Sequence, residues 1–239
     1  MRFSPVDIVA GKLINFYAGD DAQKHQLGAR SSVVSSDYST TANVGNGGGG
    51  EVQYVRAAGT FGVGRLVVID KDWIISDLPV TANTGRPLAV CLSQFTAAAP
   101  FGWVMLSGVC PVSFAVAATV GPVFGGTAGQ ATPTAAAGRQ ILGAHCLIAA
   151  AGTFTKAGRT RVGQPFIDLT GDVSGIYPGM AVSGTGVPGG ATVLNIDPDG
   201  RRFTLSANAT ASGSPTLTFT HTNFGICQVR YPFIQGQIT

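Results

Sequence analysis

The chain is poor in charge. Only 11% of its 239 residues are Asp, Glu, Lys or Arg. Glu occurs once, at Glu51, and Lys four times. A disordered tail would be charge-rich and apolar-poor, so this composition excludes one. The formal net charge is +3. The Arg residues are scattered, with Arg159/Arg161 and Arg201-Arg202 the close groups. No basic stripe interleaved with aromatics exists, which argues against a nucleic-acid partner. Long apolar runs are missing as well. The longest, near Phe114 to Phe124, is too short to span a bilayer and contains Gly and Pro. Met1 to Asp7 lacks the apolar core of a signal peptide. No membrane partner is expected, and synthesis in a cytoplasm is.

The residues of chemistry are sparse and apart. Four cysteines, Cys91, Cys110, Cys146 and Cys227, form no C-x-x-C pair. They read as buried thiols, not as a disulfide framework. Three histidines, His25, His145 and His221, show no metal-ligand spacing, and His145 and Cys146 point to opposite faces of a strand. Gly184-Thr185-Gly186-Val187-Pro188-Gly189 fits G-x-G-x-x-G in letters, but a β-branched strand follows where the dinucleotide motif needs a helix. No G-x-S-x-G elbow occurs. Asp197 and Asp199 belong to a Pro-Asp-Gly turn. Thus no catalytic residues, no cofactor and no metal are expected, and the chain reads as a non-enzyme.

What is abundant is Gly, 34 residues of it, with Ala, Val, Thr and Ser. Such a mixture favours short strands joined by tight turns over amphipathic helices. The central stretch is Phe101-Gly102-Trp103-Val104-Met105-Leu106-Ser107-Gly108. Alternation puts Phe101, Trp103 and Met105 on one face. Val104 and Leu106 fall on the other. Both faces are apolar, so this strand is expected in a core or under a neighbouring subunit. Ser107-Gly108 reads as a turn and 109–114 as a hairpin return.

Other strands are expected at Leu27–Val34, Glu51–Ala57, Gly64–Asp70, Trp73–Ile75, Arg86–Leu92 and Ile141–Ala149. Spacing of about ten residues with turn signals between them points to a barrel or sandwich. Gly45 to Gly50 reads as a loop. Composition shifts near Arg159. Residues 160–222 read as an inserted small β domain, with strands at 166–169, 192–196, 203–206 and 216–220. Residues 224–231 then return as the last strand of the first domain. The expected fold is all-β: a small barrel or sandwich with long loops over 25–159 plus 223–239, an N-terminal arm over 1–24, and the insertion at 160–222.

Several stretches resemble the capsid decoration (cement) and head structural proteins of tailed bacteriophages. They are His25–Arg30, Gly50–Val55, Arg86–Val90, Phe101–Gly108, which is similar to that family's YGWYQISG strand, and Arg230–Gly236, which is similar to its RPFANG ending. Gly179–Phe219 resembles a module of phage structural proteins with the pattern GM-VSGTGIP through TLS-NAT. The resemblance implies a non-enzymatic virion protein on the capsid exterior. Its partners would be the major capsid protein and its own copies, commonly as a homotrimer. The insertion would project outward. Phe101, Trp103, Met105, Val104, Leu106, Tyr231 and Phe233 are the expected core or subunit-interface residues. The alternative is a head-fibre or tail component for attachment or carbohydrate binding, with Tyr177 and Phe203 as candidate stacking residues, although both read more readily as core. A cell-wall-degrading enzyme would need Asp168 or Asp172.

Overall fold

The structure is a computed structural model that describes residues 3–5, 18–35, 49–171, 173, 175–197 and 201–236. Most of the expected arm, residues 45–48 of the glycine-rich loop, Asp172 and the 198–200 part of the Pro-Asp-Gly turn lie outside the described residues. The protein is all-β, with no helix among the described residues. The strands are β1 (Phe3–Pro5), β2 (Arg30–Ser35), β3 (Gly49–Ala57), β4 (Leu66–Ile69), β5 (Ile74–Asp77), β6 (Leu88–Cys91), β7 (Phe101–Ser113), β8 (Gly121–Gly125), β9 (Ala131–Thr132), β10 (Gln140–Arg159), β11 (Phe166–Leu169), β12 (Ala181–Ser183), β13 (Val193–Ile196), β14 (Arg202–Leu205) and β15 (Thr216–Ile234).

β3 pairs with β5 on one edge and β7 on the other, so β3-β5-β4-β6-β7 close on themselves. Alternation then divides the side chains of this five-stranded barrel. Val55, Val67, Ile75, Ala89, Cys91, Val104 and Leu106 form one buried cluster drawn from all five strands. Only the barrel interior lets them meet. All but Leu106 are small or β-branched, which suits a narrow barrel. Phe61 and Phe95, bridged to each other, join the same cluster at one end. The outward residues Tyr54, Val68, Leu88, Val90, Trp103 and Met105 belong to a second, larger cluster. The two apolar faces of 101–106 are thus each buried within a single chain.

The hairpin expected at Ser107-Gly108 does not form. β7 runs on through both residues and changes partners there. Residues 101–107 pair with β3, and 107–113 pair with β15. Ser-Gly is a turn signal, but Gly108 at φ 134° instead lets one strand serve two neighbours without breaking.

The strands expected at 216–220 and 224–231 are likewise one strand, β15. It pairs with β10 almost end to end, from Ile141↔Ile234 to Ala157↔Thr216. One end of this two-stranded ribbon packs in the barrel's outer cluster. The other end carries a separate core of Ile167, Tyr177, Val182, Phe203, Leu205, Leu217 and Phe219, among others. β11, β14 and β13 extend that end in antiparallel order, and β12 pairs with β15. Thr216, Thr218 and Thr220 alternate with the buried Leu217 and Phe219, so one face is more solvated and the other buried.

Candidate functional site: the open mouth of the barrel

Phe61 and Phe95 close one end of the barrel. The other end is open. At its mouth is a cavity of about 380 Å³ lined by Gln53, Ile69 and Leu106, with Trp73, Pro87, the outward Leu88, Tyr231 and Pro232 around them and Arg30, Asp70 and Lys71 at the rim. Barrel mouths are recurrent ligand sites, and this volume falls within the usual range.

Two aromatic side chains flank the mouth, and both stand on unusual backbone. Trp73 ends the turn after β4 at φ 60°. The sequence had placed it in a strand, but β5 starts one residue later. The turn is built by Asp70, whose Oδ1 accepts from Asp72 N at 2.9 Å and Ile74 N at 2.8 Å. Tyr231 sits at φ 43°, on a bulge in β15. Between the pairs Leu142↔Phe233 and Ala144↔Val229, Gly143 alone faces Arg230, Tyr231 and Pro232. Gly143 must be glycine: its φ is +75°, and a Cβ would lie 2.5 Å from Arg230 O. Bulges of this kind re-aim a side chain. A left-handed backbone costs a non-glycine residue about 1–2 kcal/mol. Two such aromatics at one cavity are held there by their surroundings.

Those surroundings are visible. The Trp73 indole packs over Gly28, where a Cβ would lie 2.5 Å from the ring and φ is +83°. Gly28→Ala is therefore expected to lower stability by about 2 kcal/mol through strain and clash. It is also expected to displace the indole. Urea titration followed by Trp fluorescence measures both. An unchanged midpoint and spectrum would contradict this packing.

The polar groups of the rim are already engaged. Tyr231 Oη donates to Glu51 Oε2 at 2.5 Å. That carboxylate holds the phenol above its ordinary pKa range, so Tyr231 remains a donor. Arg30 Nη1 meets Glu51 Oε1 at 3.0 Å, and Lys71 meets Asp72 at 2.7 Å. Gln53 Nε2 donates to Gly28 O at 3.1 Å. A sugar brings a hydroxyl on nearly every carbon and needs unengaged partners for them. This mouth suits an apolar side chain better.

The residues singled out by sequence separate into two groups. Trp103, Val104, Met105 and Leu106 are buried within the chain, and Phe101 is half-buried. Tyr231 and Phe233 are exposed, at 55% and 42%. Leu106 and Tyr231 come together at the mouth; the others do not. Trp73, Ile69 and Pro87 were missed, although a Trp directly after Asp-Lys-Asp was the one legible clue. Tyr177 and Phe203 are 2% and 0% exposed. They are core residues, and neither offers a ring to a sugar. Asp168 bonds Arg202 Nε at 2.6 Å with Arg161 3.6 Å away, a surface ion cluster. Among the described residues, no three His, Cys, Asp or Glu are grouped to hold a metal ion.

No family model, curated protein or solved structure matches this chain.

Proposed function

We propose that this chain is a structural protein of a bacteriophage virion that binds the outer surface of the capsid and stabilises the shell. The sequence resemblance supports the class. The observation that carries the binding role is the barrel mouth, with Trp73 and Tyr231 flanking an apolar cavity and Phe233 exposed two residues on. Trp, Tyr and Arg dominate the energetics of protein interfaces, and a central apolar pocket is where they act. The partner is the major capsid protein, which would insert an apolar side chain into the mouth. Binding only to the assembled shell would stabilise it by mass action. The chain would act as a homotrimer, with the 160–222 unit directed outward.

The test is co-sedimentation of the purified chain with capsids lacking it, beside its mass by light scattering. Saturable binding at a fixed ratio to capsid subunits, with a gain in capsid heat resistance, is expected. Trp73→Ala and Tyr231→Ala should each weaken that binding by about tenfold or more, while the free protein, in which both rings are partly exposed, stays folded. A stable oligomer that ignores capsids would sink the proposal and favour a tail or attachment role.

A further inference from the structure

Three thiols lie in one row across neighbouring strands. Cys110 on β7 is in register with Cys227 on β15, and Cys227 with Cys146 on β10. Residues directly opposite in antiparallel strands point to the same face, with Cβ atoms about 4.5–5.5 Å apart. All three are 0% exposed and share one apolar core.

The middle thiol favours one neighbour. The thiols donate to backbone carbonyls, Cys146 Sγ to Ile148 O at 3.4 Å and Cys227 Sγ to Gly225 O at 3.8 Å. Their interaction with each other holds Cys146 below the ordinary thiol range and, with burial, pushes Cys227 up. Burial alone pushes Cys110 up. The backbone is shaped around the Cys146 sulfur. A Cβ on Gly225 would lie 2.7 Å from it. The β10/β15 ladder shifts register between Cys146 and Ile148, leaving a bulge beside the thiol. On its other edge Cys146 faces Gly121, where a Cβ would meet nothing within 4 Å. A bulged ladder is where local opening admits a small reagent to a thiol that the closed fold buries.

We propose that Cys146 and Cys227 are a latent disulfide at the root of the β10/β15 ribbon, closed by a low-molecular-weight disulfide oxidant. The Cys146 thiolate attacks one sulfur of the oxidant, and the oxidant's S–S bond breaks. One thiolate leaves, and a mixed disulfide remains on Cys146. Cys227 then loses its proton and attacks the Cys146 sulfur, expelling the second thiolate. The protein loses two protons and two electrons, and the oxidant takes them up to become two thiols. The new bond encloses the chain from 147 to 226, which holds most of the second core. Such a long loop loses much unfolded-state freedom when closed, so the link acts as a clamp on the base of the ribbon. This inference is independent of the capsid reading.

The test is incubation of the native full-length chain with oxidised glutathione. Acid quench, denaturation, alkylation and non-reducing peptide mapping follow. Two thiols should become inaccessible to alkylation, and the dominant cross-linked peptide should join Cys146 to Cys227. The thermal midpoint should rise by about 5–10 °C and return on reduction. Cys110→Ser should keep the link, and Cys146→Ser should lose it. Four alkylated thiols, a Cys110–Cys227 link, a random mixture of pairings or a persistent glutathione adduct would each overturn the proposal. The wild-type map decides even if a variant fails to fold.

Discussion

Replacing Trp103 by alanine should destabilise the barrel by about 3–5 kcal/mol, the range for deleting a large buried aromatic. Trp103 is 4% exposed on the outward face of β7. Its ring meets Tyr54 at 5.1 Å and His25 at 5.2 Å between centroids, while Tyr54 stacks on Phe101 at 6.5 Å. The cluster is tied to the segment before β2 through Tyr54 Oη, which donates to Asp20 Oδ2 at 2.8 Å. Burial pushes that phenol up to about 12, so the hydroxyl remains a donor throughout the neutral range. Removing the indole leaves a cavity that these fixed rings cannot fill. In a chain of this size the loss should lower the thermal midpoint by about 10 °C or more. Calorimetry measures it. A shift of only a degree or two would mean that the cluster collapses onto the vacancy, and that the packing described for the outer barrel face is loose.

How much of this was legible beforehand can be traced residue by residue. The two apolar faces of 101–106 follow from period-two alternation, which needs no tertiary knowledge. The all-β class follows from composition and turn spacing. The fate of Ser107-Gly108 does not. A turn and a bend within a long strand use the same residues, and what decides is the partner on the next edge. The unity of β15 was hidden for a similar reason: His221-Thr222-Asn223 reads as a break, yet Asn223 at φ 59° only bends the ribbon. The mouth was illegible because its two aromatics are distant in sequence. Tyr231 is aimed by a bulge opposite Gly143, and Trp73 by an Asp70-centred turn. Left-handed backbone at an aromatic residue has no sequence signature. Tyr177 and Phe203 read as stacking residues only under the attachment alternative and otherwise as core, and core is where they lie. The row of thiols depends on register across three strands, a property of pairing and not of any one segment.

Replacing Phe219 by alanine should separate the two cores. Phe219 is fully buried in the core at the far end of the ribbon. It stacks on Phe154 at 5.3 Å, directly across from it in register, and meets Phe203 edge-on at 5.4 Å. Val182 pairs with it from the other side. Deleting the ring should cost that core about 3–5 kcal/mol. A core built from so few strands has little stability to spare. Among barrel-side residues, Val63 belongs to the same cluster. Both tryptophans, Trp73 and Trp103, lie outside residues 160–222, so Trp fluorescence reports the barrel alone. In the variant, fluorescence should melt near the wild-type temperature. Amide hydrogen exchange should meanwhile accelerate at Ile167, Phe203 and Leu205, and leave Val67 and Val104 protected. Equal acceleration everywhere, with the fluorescence midpoint falling in step, would show that β10 and β15 weld the cores into one cooperative unit. The continuity of those two strands makes that outcome a real physical competitor. What argues against it is the bulges at Cys146/Ile148 and Ala150/Gly152, which interrupt the ladder between the cores. An interrupted ladder transmits strain poorly, so each end should stand on its own side-chain packing.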